Sequence, residues 1–282
     1  MKVTTNSSLW EESISSFTIW LTAAGQQQST IQNRTRWVND LRKKYPDSSP
    51  QTIGSHEIQT WLANPRWQPV TKKNALSAIS RFFRYLHLTG FREKDPTSLL
   101  LPVKVPRRKA RPLPDEALEQ GIQKSSTTEE VFMVLLGAYA GLRRTEIAAL
   151  HTSSYANNWL TITGKGRTIR HIPVHPALKP YLELKTSGYY FPGRFKGHKN
   201  HDYIAKRIKK NLGGKYTTHN LRHWFATTTY AKCKDIRVVQ ELLGHADIVT
   251  TQSYIGINDQ ALTQAVYALT DLPVPLPQPN AQ

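Results

Sequence analysis

The sequence predicts a mainly α-helical chain with one small β-hairpin, divided into an all-helical N-terminal bundle and a mixed α+β C-terminal domain. Three observations predict it. Apolar residues recur at three-to-four spacing through most of the 282 residues, the period of a helix with one buried face. The period becomes two only around 159–174, where WLTIT, a GKGR turn and TIRHIPV read as two strands joined at glycine. Between the two helical regions lies LPVKVPRRKARP at 101–112, whose prolines and missing apolar face suit an extended linker.

The elements follow in order. Trp10, Ile14, Phe17, Trp20 and Leu21 mark the apolar face of a first helix. A second spans about 30–45, with Ile31, Trp37, Val38 and Leu41 inward and Arg34, Arg36, Arg42, Lys43 and Lys44 on its polar side. A third covers about 55–63. A fourth runs from 70 to 88, with Ala75, Ile79, Phe82, Phe83 and Leu86 inward and Lys72, Lys73, Arg81 and Arg84 on or beside its outer side; Gly90 is its stop signal. Beyond the linker, Pro114 and Asp115 open a helix, and Thr128 starts an apolar one through Val131, Leu135, Leu136 and Tyr139. After the hairpin, helices are expected at about 176–186, 203–211, 218–231, 235–243, 247–253 and 259–269. The last stretch, DLPVPLPQPNAQ, reads as a loose proline-rich tail. The expected division is a helical domain at 1–96, a basic linker at 97–112, a second domain at 113–271 and a flexible tail at 272–282.

Charge narrows the function classes. Lys and Arg total 38 against 20 Asp and Glu, a formal net charge of +18, which calls for a polyanionic partner. The densest basic run is the linker, with Lys104, Arg107, Arg108, Lys109 and Arg111 and no acidic residue. It fits a solvated face or a strap along a phosphate backbone. No uninterrupted apolar run is long enough for a membrane span, and the N-terminus has no secretion signal. One cysteine, Cys233, excludes an internal disulfide framework and a four-cysteine zinc site, so a reduced, intracellular setting is expected. No phosphate-cradling GxxxxGK[ST] loop is present. The pairs His171/His175 and His198/His201 are read as non-metal, the first on a strand and the second in a lysine-rich loop. No metal and no cofactor are expected.

Six residues of the C-terminal half stand in short, distinctive contexts. Arg143 lies in GAYAGLRRTEIAAL, Lys165 in TGKGR, His219 and Arg222 in THNLRHWFA, and His245 and Tyr254 in LLGHADIVTTQSY. His219 and Arg222 are three apart on a helix and share a face. Read one at a time, each has a plain alternative. Either arginine could be a surface or ion-paired side chain, Lys165 a turn lysine, and His245 a helix cap. Glu146 could orient Arg143 or be an exposed helical carboxylate.

Taken together, the segments resemble the tyrosine recombinase (phage integrase) family. GLRRTE is similar to its first-arginine box, GKGR followed by a strand to its lysine-bearing hairpin, HNLRH to its His-x-x-Arg box, and LLGHADIVTTQSY to its nucleophile segment. The resemblance covers roughly 8–270, strongest over 135–255, and lacks the extra arm-binding domain of many phage integrases. It implies a helical core-type DNA-binding domain and a catalytic domain around duplex DNA, with no metal. Lys72, Lys73, Arg81, Arg84 and the linker's Lys104, Arg107, Arg108, Lys109 and Arg111 are the candidate DNA contacts.

The implied chemistry matches the residue types. Strand cleavage requires charge stabilisation on the transferring phosphoryl oxygens, which two guanidiniums supply through bidentate hydrogen bonds: Arg143 and Arg222. Tyr254 is the expected nucleophile, His219 its general base, Lys165 the general acid for the leaving 5′ oxygen, and His245 a hydrogen-bond donor to the scissile phosphate. Glu146 would support Arg143. The expected function is a site-specific integrase acting through a 3′-phosphotyrosine and a Holliday junction. The expected partners are double-stranded DNA carrying a core site, three further copies of the chain in a tetramer, and accessory DNA-bending or directionality proteins, in the cytoplasm and nucleoid of a bacterial host. The last helix, at about 259–269, would be exchanged with a neighbour or fold back on its own domain. An Xer-type resolvase of chromosome or plasmid dimers is the alternative. A relaxing topoisomerase and a catalytically silent DNA-binding protein are the remaining readings.

Overall fold

The computed structural model describes residues 5–106, 113–164, 168–194, 196–244 and 259–277. The chain forms two compact units, Met1–Lys109 and Ala110–Gln282. Among the described residues no helix is long and apolar enough to cross a membrane.

The first unit is built from α1 (Asn6–Ala23), α2 (Gln28–Lys44), α3 (Ser55–Leu62) and α4 (Pro69–Leu88). Thr5 caps α1 by accepting a hydrogen bond from Ser8 N, and Pro69 opens α4 at the position where a missing N–H costs nothing. The inward faces meet in an aromatic-rich core. Trp10 stacks on Phe82, Phe17 meets Phe82 edge-on, and Trp37, Trp61 and Trp67 pack mutually edge-to-face. Two of the buried indoles find acceptors: Trp10 Nε1 donates to Ser48 O at 2.8 Å and Trp61 Nε1 to Asp40 Oδ2 at 3.0 Å. Trp20, expected on the apolar face of α1, lies at its edge, 37% exposed beside Tyr85. Lys73, Arg81 and Arg84 are exposed and Lys72 half-buried.

The second unit is organised around α6 (Thr128–Tyr139), whose residues from Glu130 to Tyr139 are all buried, as expected of a helix apolar on every side. It follows α5 (Asp115–Gln123) and precedes a short helix, α7 (Arg144–Ala148). Then come β1 (Tyr155–Ala156), β2 (Trp159–Thr163) and β3 (Ile169–Pro173), an antiparallel sheet in that order. In it Leu160 pairs with Ile172 and Ile162 with Arg170. A short helix α8 (Lys179–Glu183), a two-residue strand pair β4 (Pro192–Gly193) and β5 (Gly197–His198), α9 (His201–Asn211), α10 (Thr218–Cys233), α11 (Ile236–Leu243) and α12 (Asp259–Tyr267) complete it. One continuous apolar core runs from Leu113 to Leu269.

Several expectations are corrected here. The hairpin gains a third strand, β1, and β4–β5 form a second small sheet that no periodicity marked. The helix expected at 176–186 is a 3₁₀ turn at Pro176–Leu178 running into α8. Helix α9 starts at His201 because Asn200 Oδ1 accepts from Asp202 N, which takes His201 out of the lysine-rich loop where it was expected. Residues 272–275, expected as loose tail, are seated on the unit. Tyr139 Oη donates to Thr270 O and accepts from Leu272 N, Tyr181 Oη donates to Pro275 O, and Leu272 and Val274 pack against the core. Burial pushes both phenols up to about 12. The helix expected at 247–253 lies outside the described residues.

Phe82 is fully buried between Trp10, Phe17 and Phe83. Phe82→Ala is expected to lower the stability of the first unit by about 3–5 kcal/mol. Urea unfolding followed by tryptophan fluorescence measures it, because Trp10, Trp20, Trp37, Trp61 and Trp67 all belong to that unit.

Candidate active site

The site starts from a glycine. Helix α6 ends in a left-handed turn at Gly141, φ +59°, where a Cβ would come within 2.6 Å of the Phe225 ring. Only glycine takes that backbone conformation at such close approach without strain. The turn is closed by Leu142 N donating to Leu136 O. It delivers Arg143 to the N-terminus of α7, one turn before Glu146.

Glu146 is buried, 8% exposed. Its carboxylate is held from two sides. From its own turn, Arg143 N donates to Oε2 and Arg143 Nη1 to Oε1, both at 2.8 Å. From β3, Arg170 donates through both terminal nitrogens, Nη1 to Oε1 at 3.0 Å and Nη2 to Oε2 at 2.7 Å. This is the two-pronged geometry that suits guanidinium and carboxylate best. Burial pushes the Glu146 carboxyl upward, but Arg170 and then Arg143 outweigh it, and the group ends below the usual carboxylate range. The arrangement leaves no room for an exposed helical carboxylate at this position.

Arg222 approaches from the first turns of α10 and is itself buried, 6% exposed. Nη1 donates to Gly141 O at 2.6 Å and Nη2 to Leu243 O at 2.5 Å. Two backbone carbonyls therefore hold a guanidinium that, among the described residues, has no carboxylate of its own. Burial, and after it the charges of Arg143 and Arg170, pull Arg222 down to about 10, with Glu146 opposing. At neutral pH it stays charged, in a setting short of negative charge.

Arg143, Arg222 and His219 open onto one cleft of about 600 Å³, with Arg144, Asp202, Ala205, Lys206, Lys209, Thr217 and Thr218 along its other walls. His219 is exposed on this wall, at the N-terminus of α10, where Asn220 Oδ1 accepts from Thr217 N and Oγ1. The neighbour Arg144 turns away from Glu146 and pairs with Asp202 at 3.0 Å. Lys165, His245 and Tyr254 lie outside the described residues, as do Arg107, Arg108, Lys109 and Arg111. The chain reaches the first three from described ends, Gly164 of the hairpin and Gly244 at the close of α11. Lys72, Lys73, Arg81, Arg84 and Lys104 belong to the other unit; there Arg34 is partly buried near Arg81, and burial first and that like charge second lower it.

Sequence reasoning missed Arg170, Lys206 and Lys209. Arg170 had a signal: it alternates with Ile172 on the inward side of β3, so it is a cation on an apolar face. Lys206 and Lys209 stand on α9 away from its inward residues Ile204 and Ile208. Among the described residues, no cluster of three or more His, Cys, Asp or Glu could hold a metal ion.

Comparisons with known proteins give the family. The sequence pattern of the Phage integrase family matches residues 113–261, more than half of the chain, and that of the phage integrase N-terminal SAM-like domain matches residues 14–89. The chain belongs to the phage integrase family. It is a site-specific tyrosine recombinase, with the helical bundle and catalytic fold of that family. Tyrosine recombinase XerD of Vibrio cholerae is 33% identical to it over 237 residues, covering 75% of this chain and 78% of that protein. The integrase of mycobacterium phage Brujita is 25% identical with a TM-score of 0.55, covering 93% of this recombinase and 94% of that structure. Lambda integrase residues 75–356, solved as a dimer bound to a COC′ core site, shares the fold at a TM-score of 0.70 and 20% identity, over 88% of this chain and 99% of that one.

The buried carboxylate makes a pH prediction. The folded pKa of Glu146 lies below its unfolded value, so its stabilising contribution is complete above about pH 4.5 and is lost as pH falls through the folded value. Glu146→Gln is expected to cost about 3–5 kcal/mol at neutral pH, the usual loss when one partner of a buried pair is removed. The gap to the native chain should narrow as the pH falls below about 4.5. Denaturant unfolding at a series of pH values measures both.

Proposed function

We propose that this recombinase cuts and rejoins DNA through a 3′-phosphotyrosine intermediate and a Holliday junction, and that it integrates and excises a phage or mobile element. The observation that carries the reading is the convergence of Arg143 and Arg222 on the His219 cleft, where Arg144, Lys206 and Lys209 add further positive charge and Asp202 is the one lining carboxylate. A phosphodiester entering that cleft supplies the missing negative charge. In the transition state its non-bridging oxygens gain charge, which prearranged guanidinium donors stabilise most.

The step balances within the chain's own residues. Tyr254 Oη attacks phosphorus while His219 takes its proton. The P–O5′ bond breaks, Lys165 protonates the departing 5′ oxygen, and His245 donates a hydrogen bond to the phosphate. The product is a phosphodiester to tyrosine, which conserves the bond energy. A 5′ hydroxyl from another strand attacks it in the reverse sense to rejoin. Lys72, Lys73, Arg81, Arg84, Lys104 and the linker residues Arg107, Arg108, Lys109 and Arg111 contribute phosphate contacts, so affinity falls steeply with salt. Lambda integrase has been solved as a tetramer bound to a Holliday junction. By the same logic two duplexes would be joined by four copies of this chain, in the cytoplasm or on the nucleoid of a bacterial host, with accessory proteins setting direction. The second reading, an Xer-type resolvase of chromosome or plasmid dimers, is favoured by the 33% identity to XerD of Vibrio cholerae.

The test is adduct capture. The native chain and Tyr254→Phe are expressed, the cells lysed in denaturant, and any DNA still attached to the protein is sequenced. Native adducts at mobile-element junctions, absent from Tyr254→Phe, are expected. Adducts at a replication terminus or plasmid site would support the resolvase, and scattered ones a relaxing topoisomerase. Adducts that persist in Tyr254→Phe would remove the nucleophile assignment. A native chain that forms none, even on a nicked duplex that traps the cleaved strand, would contradict the enzymatic reading.

A further inference from the structure

Arg170 occupies a place that neither a turn nor a surface charge explains. It sits on β3, two residues beyond the turn closed by Gly164 N donating to Thr168 O at 2.7 Å, and it is 4% exposed. Its two terminal nitrogens grip Glu146, and its Nε donates to Leu242 O at 3.1 Å. Every donor-bearing nitrogen of the side chain is therefore engaged with an element other than its own strand. Leu242 is in the last turn of α11, next to Leu243, whose carbonyl accepts from Arg222. Gly244 then turns the chain at φ +61°, with the Arg170 Cδ only 2.8 Å from where a Cβ would stand. One guanidinium so joins three pieces: the stem of the turn that carries Lys165, the carboxylate that holds Arg143, and the end of α11 from which the chain runs on to His245 and Tyr254.

We infer that Arg170 is a positioning residue for strand cleavage, a buried fork that holds the Lys165 hairpin, Arg143 and the start of the nucleophile segment in one frame. It touches no substrate. It acts because reacting groups drawn from different elements must be held to within a fraction of an ångström, and small misplacements cost large factors in rate. A buried arginine–carboxylate pair is weak evidence for stability in itself, but a pair that also ties down a third element fixes relative position. Lysine cannot replace it, because a single ammonium cannot serve both carboxylate oxygens and the Leu242 carbonyl in the planar geometry of the fork.

The inference rests on the proposed cleavage chemistry, and the experiment separates the two. Single-turnover cleavage of a nicked duplex carrying the sequence recovered by adduct capture is measured for the native chain, Arg170→Gln and Arg170→Lys, with duplex affinity and thermal unfolding measured in parallel. Arg170→Gln is expected to cleave about tenfold to a hundredfold more slowly, with Kd for the duplex changed by less than about twofold, because the residue is buried and its donors are all taken up within the protein. A second readout is the pH profile. The groups that face Glu146 are Arg143, Arg170 and, through its charge, Arg222. Without Arg170 the buried carboxyl loses its strongest counter-charge, protonates at higher pH and releases Arg143. The rate of Arg170→Gln relative to native should therefore fall further as the pH drops from about 7 to 5. A purely structural role would lower the fraction folded and leave that ratio flat.

Arg170→Lys guards against collapse of the Gln variant, since it keeps the charge and the stem. It is expected to fold and still to cleave at least about fivefold more slowly than native. Native rates in a folded Arg170→Lys or Arg170→Gln, or a rate loss that tracks the unfolded fraction with a flat pH ratio, would overturn the inference. A native chain that itself forms no adduct would instead overturn the cleavage reading.

Discussion

The Glu146 carboxylate is the constraint on which the catalytic unit depends. It is buried, so it must stay ionised only if cations surround it, and the fold supplies two from elements far apart in sequence. Arg143 comes from the turn after α6 and Arg170 from β3. Each arginine is held by the carboxylate as much as it holds it. The first is left half-exposed, its remaining donors free to face the cleft, while the second is buried entirely. A single acidic residue thereby sets which guanidinium is structural and which can reach a ligand.

Arg222 follows the opposite rule. Among the described residues it is buried without a carboxylate, capped by the carbonyls of Gly141 and Leu243. Carbonyls orient a guanidinium and leave its charge uncancelled. The result is a cation lowered to about 10 by burial and by the neighbouring arginines, beside an open cleft. Such a group is stabilised by any anion that arrives and most by one whose charge grows during reaction. The same two carbonyls mark the glycine turn that presents Arg143 and the end of α11, so the placement of Arg222 depends on both.

Much of this was legible in the sequence, and the rest was hidden for definable reasons. Helix positions followed from apolar spacing: Ala75, Ile79, Phe82, Phe83 and Leu86 are all buried on α4 as their period implies. The hairpin followed from its change of period, with Ile162 opposite Arg170. The short contexts around Arg143, His219 and Arg222 singled them out, and the fold brings those three to one cleft. Arg170 was not found because its partner, Glu146, is 24 residues away, and no periodic pattern reports a pairing between elements. Only its place on the inward side of β3 hinted at it. The 272–275 segment was misread for a related reason. Its prolines leave carbonyls without local partners, and Tyr181, 94 residues earlier, supplies the donor for Pro275. The start of α9 rests on a single capping residue, Asn200, inside a lysine-rich stretch with no apolar period to mark it.

The central claim is that the guanidiniums of this site act on the negative charge of a phosphate. The most direct measurement compares cleavage of two duplexes by the native chain and by Arg222→Ala, one with an ordinary phosphodiester at the cut site and one with a neutral methylphosphonate there. On the phosphodiester, Arg222→Ala is expected to lose about a hundredfold in rate or more, roughly 3 kcal/mol of transition-state stabilisation. On the methylphosphonate, where one charged oxygen is gone, the variant should regain most of that loss relative to native. An equal loss on both substrates would contradict the account and make Arg222 a structural strut between Gly141 and Leu243.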